Sequence, residues 1–162
     1  MNKSFSAKPM IYSAFIAALY VILTYVANLM GLANNPIQVR FSEALCVLPI
    51  FLPAAIPGLF IGCIISNVLT GAIFIDIIFG SLATLIGAIG TRCLRKHPLI
   101  ATFPPVIANT LIIPPILAYA YHFEGSLPYF AITVGLGEII SCVIMGFIFY
   151  KILYKYKENI FR

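Results

Sequence analysis

Apolar residues run along this chain in long blocks instead of alternating with polar ones. Blocks of roughly 18 to 25 residues match the length of helix that crosses about 30 Å of hydrocarbon. Turn-forming and charged residues separate the blocks, which predicts membrane spans near residues 10–30, 77–94, 99–121 and 127–150. The remaining stretch, 43–76, is too long for one full span and too short for two.

Three prolines at intervals of four interrupt this remaining stretch, and the last of them is Pro57. Each interior proline removes a backbone hydrogen bond and kinks a helix. We therefore expect two short, bent spans at 43–55 and 58–74, joined by a tight turn near Pro57. Irregular backbone at membrane depth is tolerated where it borders a cavity. The prediction is an all-α bundle of six transmembrane helices in a single domain of 162 residues.

Composition and charge agree with this interpretation. The chain is 62% hydrophobic and 9% charged, and its net charge is +5. That charge does not indicate a nucleic-acid partner, because it is gathered at three places that the positive-inside rule would assign to the cytoplasm. The three clusters are Lys3 and Lys8; Arg92, Arg95 and Lys96; and Lys151, Lys155, Lys157 and Arg162. We expect a multi-pass protein of a prokaryotic cell membrane with both termini inside.

The chain lacks the usual signatures of metal sites and catalysis. Its cysteines, Cys46, Cys63, Cys93 and Cys142, are scattered without a CxxC pair, so neither a zinc site nor a disulfide framework is predicted. They are expected to serve as small packing residues. No Walker, HExxH, GxSxG or GxGxxG motif is present, and we expect no cofactor and no enzyme activity. Any ATP hydrolysis would come from another subunit.

Polar side chains inside apolar sequence are the candidate functional residues. Glu138 lies about 11 residues into its predicted span, and a carboxylate at that depth is costly unless it has a partner or a function. The alternative is a buried acid bonded to a neighbouring helix. Asp76 begins a span, where it would either bind a ligand or cap the helix. Asn67 and Asn109 are mid-span amides, which either contact a ligand or join helices.

Two further features stand near the ends of predicted spans. The segment 38–43 contains Arg40, Phe41 and Glu43, and it either folds over a pocket or pairs Arg40 with Glu43 at a helix entry. The first span carries Ala14 and Ala18 one helical turn apart. A face of small residues permits close helix contact, within the chain or with a partner.

Several stretches resemble the QueT family, which belongs to the substrate-binding S components of energy-coupling factor (ECF) transporters. They are Ile-Gln-Val-Arg-Phe-Ser-Glu-Ala-Leu at 37–45 with Leu48-Pro49, Gly-Ser-Leu-Ala-Thr-Leu at 80–85, Asn109 and Gly137-Glu138. The resemblance implies uptake of a queuosine precursor, a deazaguanine bearing an aminomethyl group. It also implies docking on a transmembrane coupling protein with two ATPases, through a surface that maps onto Ala14 and Ala18.

A guanine-like edge presents adjacent N–H donors that one carboxylate accepts together, and an ammonium group needs a second acid. Glu138 is therefore predicted to meet the guanine edge, and Asp76 or Glu43 the ammonium. The two amides would take the remaining edges, and Phe41 would stack on the ring. The predicted ligand-binding residues are Glu138, Asp76, Asn109, Asn67, Glu43, Arg40 and Phe41. The alternatives are another vitamin such as riboflavin or thiamine, a membrane-embedded enzyme, or a small proton-coupled carrier.

Overall fold

The computed structural model describes residues 7–32 and 38–160, and these fold into a bundle of helices. Lys3, Ile37 and Arg162, which entered the sequence patterns, lie outside the described residues. The elements are α1 (Lys8–Leu29), a 3₁₀ helix (Phe41–Ile50), α2 (Ala55–Leu69), α3 (Phe74–Cys93), a 3₁₀ turn (Ile100–Thr102), α4 (Phe103–Tyr119), α5 (Leu127–Glu138), a π-helical segment (Ile139–Met145) and α6 (Gly146–Ile160).

Among the described residues, four segments are long and apolar enough to cross a membrane, judged by length and composition. They are Lys8–Leu29, Phe74–Cys93, Ile100–Tyr119 and Leu127–Glu158. This confirms the predicted all-helical bundle with several membrane-type helices. The 3₁₀ helix and α2 are apolar but have only 10 and 15 residues. The count of six spans and the orientation of the termini therefore stay predictions.

The predicted boundaries within 43–76 are wrong. The chain turns at 51–54, and Pro57 lies in the first turn of α2 instead of at the bend. A proline is tolerated there because the N–H groups of a first turn have no acceptor within the helix. The turn contains Pro53, which has no N–H to offer the end of the 3₁₀ helix. Arg92 of α3 supplies that donor, because its Nη1 lies 3.0 Å from the carbonyl oxygens of Pro49 and of Ile50.

Helices α1 and α2 pack closely through glycines. A Cβ atom at Gly58 would lie 2.7 Å from the backbone oxygen of Ser13, so only glycine permits this approach. Gly62 makes a similar contact one turn later along α2. The small residues Ala14 and Ala18 do not take part, and both are exposed beside this seam.

The last helix does not end near residue 150, as the sequence suggested. Helix α6 continues to Ile160 and carries Lys151, Lys155 and Lys157 at exposed helical positions. Three of its lysines lie over aromatic rings: Lys151 over Phe147 at 5.1 Å, Lys155 over Tyr156 at 5.6 Å and Lys157 over Tyr154 at 4.2 Å. Such contacts place each positive charge against the face of an aromatic ring, which attracts it.

The two ends of the bundle differ in polarity. Helices α1, α2 and α4 end, and α3 begins, at an end that carries Asn28, Thr70, Asp76 and Tyr121. The opposite end holds the described basic residues of α1, α3 and α6. The polar side chains of the first end surround the cavity described next.

Candidate functional site

An open cavity of about 200 Å³ lies at the end of the bundle opposite the basic clusters, and we call it the larger lobe. It is smaller than typical sites for drug-sized ligands, which measure roughly 300–1,000 Å³, and so suits a compact ligand. Helices α1 to α4 and the segment before the 3₁₀ helix contribute its walls. Its polar lining includes Thr24, Gln38, Arg40, Asn67, Thr70 and Asp76.

A second, narrow space adjoins this cavity, and we call it the smaller lobe. Its volume is about 10 Å³, and it reaches Asn109 of α4 and Glu138 of α5. Gln38, Arg40 and Ile113 line both lobes. The two lobes therefore meet at Arg40, and together they connect five of the predicted site residues.

Asp76 and Asn67 lie side by side in the larger lobe because Gly80 leaves room for them. A Cβ atom at Gly80 would lie 3.1 Å from Asp76 Oδ1 and 3.3 Å from Asn67 Nδ2. Asp76 is not the N-cap of α3, since Ile73 holds that position, so the capping alternative is wrong. Instead, the Tyr121 hydroxyl donates a hydrogen bond of 2.9 Å to Asp76 Oδ2.

Two carboxylates lie close together beneath the smaller lobe. One carboxylate oxygen of Glu43, one of Glu138 and the sulfur atom of Cys142 lie within 4.8 Å of one another. All three side chains are buried. The Cys142 thiol donates to Glu138 Oε2 at 3.2 Å, and the Cys46 thiol donates to Glu43 Oε2 at 3.1 Å. The Tyr20 hydroxyl donates to the other oxygen of Glu43. Glu138 lines the lobe, whereas Glu43 lies behind it and lines neither lobe.

Two irregular helices bring these carboxylates together. Runs of 3₁₀ helix longer than three or four residues are uncommon, and π-helical turns concentrate at functional sites. In a 3₁₀ helix residues i and i+3 share a face, which places Cys46 under Glu43. The π-helical segment turns Ser141 and Cys142 toward the 3₁₀ helix, where the Cys142 thiol also reaches the Glu43 carbonyl oxygen at 3.6 Å.

Asn109 presents an unused donor to the smaller lobe. Its side chain is 5% exposed, and its Nδ2 atom has no hydrogen-bond partner in the part of the chain that the structure describes. An unpaired buried amide typically costs about 1–3 kcal/mol. Asn109 lines the lobe together with Glu138, so a ligand there would meet an amide donor beside a carboxylate.

The segment before the 3₁₀ helix forms the roof between the lobes. Gln38 crosses directly over Gly137 of α5, where a Cβ atom would lie 2.1 Å from the Gln38 carbonyl oxygen. The Arg40 N–H donates to Ser141 Oγ at 3.1 Å, and Arg40 Nη2 donates to Gln38 Oε1 at 3.4 Å. The Arg40 side chain thus bonds Gln38 instead of Glu43, and the alternative of an Arg40–Glu43 helix-entry pair is not what the structure contains.

Phe41, predicted to stack on the ligand, is not brought to either lobe. It lies in a separate apolar groove with Leu23, Ala44 and Ile148. Residues 41 and 44 share one face of the 3₁₀ helix, and that face points away from the one that carries Glu43. We therefore leave Phe41 out of the ligand-contacting set.

The exposed alanines of α1 lie on another apolar groove, of about 870 Å³, between α1 and α2. Ala14 and Ala18 line it together with Pro57, Ile61 and Ile65 of α2. Their small side chains leave the backbone of α1 open to close approach. The alternative is that these alanines contact another helix of the same chain. That contact is made instead by Ser13, whose hydroxyl donates to the Ala54 carbonyl oxygen at 2.7 Å.

Sequence reasoning missed several residues of the site. Cys46 and Cys142 were expected only to pack, yet each donates a hydrogen bond to a buried carboxylate. A signal existed, because they follow Glu43 and Glu138 by three and four residues, the spacings of helical neighbours. Tyr121 gave no such signal, since it lies 45 residues from its partner Asp76.

The cluster of Glu43, Glu138 and Cys142 could converge on a cation, which the sequence did not predict. Its hydrogen bonds, however, already join the thiols and a phenol to the carboxylates. The unpaired group facing the smaller lobe is a donor, Asn109 Nδ2, which does not coordinate a metal. The arrangement therefore fits a hydrogen-bonding organic ligand better than a metal ion.

Comparison with known proteins agrees with this membrane-embedded architecture. The family model described as QueT transporter matches residues 10–155. A curated protein of Lactococcus lactis subsp. cremoris (strain MG1363), named queuosine precursor transporter QueT, is 44% identical over 73 residues, which are 45% of this chain and 43% of that protein. The chain thus aligns with less than half the length of this relative. No solved structure matches the chain significantly. Because the family model covers most of its length, the chain belongs to the QueT transporter family.

Proposed function

We propose that the protein is the substrate-binding membrane subunit of an importer for a queuosine precursor, an aminomethyl deazaguanine. The observation that carries the proposal is the placement of the Glu138 carboxyl group and the Asn109 amide in one narrow lobe. The name of the Lactococcus relative, which refers to a queuosine precursor, supports the same ligand class.

The chemistry of the two lobes fits the two parts of such a ligand. The guanine-like edge presents adjacent N–H donors, which the Glu138 carboxylate would accept together, and acceptors that Asn109 Nδ2 would meet. Arg40 stands where the lobes join and would donate to the ring carbonyl oxygen. A site whose buried polar groups need these partners discriminates strongly against analogues that lack them.

The ammonium group of the ligand would occupy the larger lobe. Asp76 has one oxygen bonded to Tyr121 and the other beside Asn67, over Gly80. This second oxygen is available to a cationic donor, and Asn67 would assist it. Glu43 lies behind Glu138, so of the two acids considered for this role Asp76 is favoured.

Charge distribution supports an exterior opening for the site. Cytoplasmic segments of membrane proteins are enriched in lysine and arginine. The described basic clusters lie at one end of the bundle and the cavity at the other. With the basic end inside, a multi-pass protein of the cell membrane would receive its ligand from outside.

Ligand-dependent stabilisation tests the proposed function. A ligand that binds only the folded protein stabilises it by RT ln(1 + [L]/Kd), which is about 2.7 kcal/mol at a hundredfold excess over Kd. We expect the aminomethyl deazaguanine to raise the melting temperature of the detergent-purified protein by several degrees. Riboflavin and thiamine should leave it unchanged, and stabilisation by either of them instead would refute the assignment.

We also propose that this subunit docks on a transmembrane coupling protein that works with two ATPases. The chain has no ATPase motif of its own, and Ala14 and Ala18 leave an apolar groove exposed on α1. Small residues at helical spacing let a partner helix approach the backbone closely. A partner apolar on its contact face, such as a coupling helix, would complete this surface.

Bulk added to that groove should uncouple transport from binding. We expect Ala14→Leu with Ala18→Leu to lower uptake by cells about tenfold, because overpacking a close helix contact costs on the order of 1–3 kcal/mol. Affinity in detergent should not change, since the groove is separate from both lobes. Ile132→Phe, on an exposed position of α5, is the matched control. Normal uptake by the double variant would argue against docking here.

One second candidate function has specific support. Clusters of acids inside membrane proteins are a recurrent feature of proton pathways, so the close approach of Glu43 and Glu138 favours a small proton-coupled carrier. The two functions differ in their energy source. Uptake that persists in cells without any ATPase partner, and that collapses with the proton gradient, would favour the carrier over the importer subunit.

A further inference from the structure

Two aromatic rings form one wall of the larger lobe. Tyr121 and Phe123 follow α4 and stack on each other, with ring centroids 5.3 Å apart and an interplanar angle of 21°. Both line the lobe, where they are the aromatic members of the lining. Phe123 is 52% exposed although it belongs to a cavity wall. An aromatic face left uncovered at a polar site is suited to a flat ring, as base-stacking platforms show.

The wall is fixed before any ligand arrives. The Tyr121 N–H donates to the Ile116 carbonyl oxygen at 3.0 Å, and the Phe123 N–H donates to the Leu117 carbonyl oxygen at 3.1 Å. These bonds tie the segment to the last turn of α4. A preorganised ring loses little freedom on binding, so more of its contact energy appears as affinity.

Tyr121 also fixes the orientation of Asp76, the acid of the larger lobe. Its hydroxyl donates to Asp76 Oδ2 at 2.9 Å and accepts from the Ile73 N–H at 3.3 Å. With both partners in place the phenol cannot rotate freely, and Asp76 is held with Oδ1 over Gly80. The carboxylate oxygen that a cation would reach is therefore set by the tyrosine.

We propose that Tyr121 and Phe123 form the stacking wall for the planar heterocycle of the substrate, and that the Tyr121 hydroxyl positions Asp76 for its cationic substituent. This inference rests on the proposed function for the identity of the ligand. In the role of stacking on the ligand, this pair of residues after α4 takes the place predicted for Phe41. Stacking acts on the ring, whereas positioning acts only on the ammonium group, so the two roles can be separated.

The test uses two ligands and isothermal titration calorimetry of the detergent-purified protein. One ligand is the aminomethyl deazaguanine, and the other is the same ring with an uncharged nitrile in place of the aminomethyl group. We expect Phe123→Leu to lower affinity for both ligands by a similar factor, about fivefold, since each loses the stacking face. Phe123→Tyr keeps the ring and should bind like the wild type.

The tyrosine variant separates positioning from stacking. Tyr121→Phe keeps the ring but removes the hydroxyl, so affinity for the aminomethyl compound should fall about tenfold while affinity for the nitrile changes less than twofold. Tyr121→Leu should weaken both. Tyr119→Leu, at a 69% exposed position of α4, is the control and should affect neither.

Each outcome bears on a different claim. If the wild type binds neither deazaguanine, the proposed function fails and the wall fails with it. If the wild type binds and both leucine variants retain its affinity, the wall is wrong while the proposed function stands. If Tyr121→Phe weakens both ligands equally, the positioning role is wrong. Melting temperatures measured without ligand show whether each variant is folded, and the two conservative variants, Tyr121→Phe and Phe123→Tyr, keep the test decisive.

Discussion

Glu138→Gln is expected to lower affinity for the aminomethyl deazaguanine by roughly tenfold to 150-fold, which corresponds to about 1.5–3 kcal/mol for a hydrogen bond to a charged group. The glutamine replaces one acceptor oxygen by an NH₂ group. That group would face the N–H donors of the ligand, so two donors would oppose each other where the carboxylate accepted both. The neighbouring Asn109 amide is also a donor and cannot compensate.

The fold should tolerate this substitution. The glutamine oxygen can still accept the Cys142 thiol, and the change replaces one of two closely spaced carboxyl groups by a neutral amide. We therefore expect the melting temperature without ligand to be unchanged or slightly higher. A loss of binding that comes with a loss of folding would mean that Glu138 is a structural acid.

The control for this prediction is Glu124→Gln. Glu124 is an exposed acid in the segment between α4 and α5, so its substitution removes the same charge at a position outside both lobes. Titration of wild type and both variants with one ligand gives the comparison. Wild-type affinity in Glu138→Gln would remove the central contact of the proposed site.

The sequence predicts which polar groups belong to the site because burial in apolar sequence makes them conspicuous. Glu138, Asn109 and Asn67 stand in three different predicted spans and Asp76 at the start of a fourth, and the structure brings all four to the two adjoining lobes. Placing such groups in hydrocarbon is costly, so the few that occur deep in apolar sequence can be picked out from the sequence alone. Whether they converge on one site cannot be predicted in this way, because it depends on how the helices pack.

Phe41 illustrates what local sequence cannot give. Whether it faces the ligand depends on whether residues 41–50 wind as an α-helix or as a 3₁₀ helix. Distant groups contact this segment, namely Arg92 at the last carbonyl oxygens and Cys142 at the carbonyl of Glu43. Neither contact leaves a trace in the segment itself, so the face on which Phe41 lies could not be read from it.

Two glycines likewise separate what the sequence shows from what only the structure shows. The sequence shows Gly80 and Gly137 as part of a family pattern, but the reason for each becomes visible only in three dimensions. Gly80 leaves space for Asp76 and Asn67, and Gly137 leaves space for the backbone at Gln38. In both cases the missing side chain makes room for a part of the site that comes from elsewhere in the chain.

Gly137→Ala should therefore disable binding by displacing the roof of the site, with an expected loss of affinity between about tenfold and a hundredfold. The new Cβ would lie 2.1 Å from the Gln38 carbonyl oxygen and 3.0 Å from its carbonyl carbon, so the segment must move. Arg40, two residues on, would lose its bond to Ser141 and its place between the lobes. Overpacking of this kind typically costs about 1–3 kcal/mol.

The helix itself should not suffer, because alanine is favoured over glycine inside a helix by about 1 kcal/mol. The melting temperature without ligand should accordingly change little. Gly135→Ala is a matched control two residues away, where a Cβ would meet only Thr110, at 3.4 Å and 3.6 Å. It should bind like the wild type.

Limited proteolysis supplies a second readout, since Arg40 is a trypsin site that is only partly exposed in this arrangement. Cleavage after Arg40, followed by mass spectrometry, should be faster in Gly137→Ala than in Gly135→Ala or the wild type. Because the new Cβ clashes with backbone atoms of Gln38, no change of rotamer can relieve the clash, and the segment around Gln38 has to move away from α5. Equal affinity and equal cleavage in the two alanine variants would mean that the roof is not needed for binding, and that the ligand is held by the helices alone.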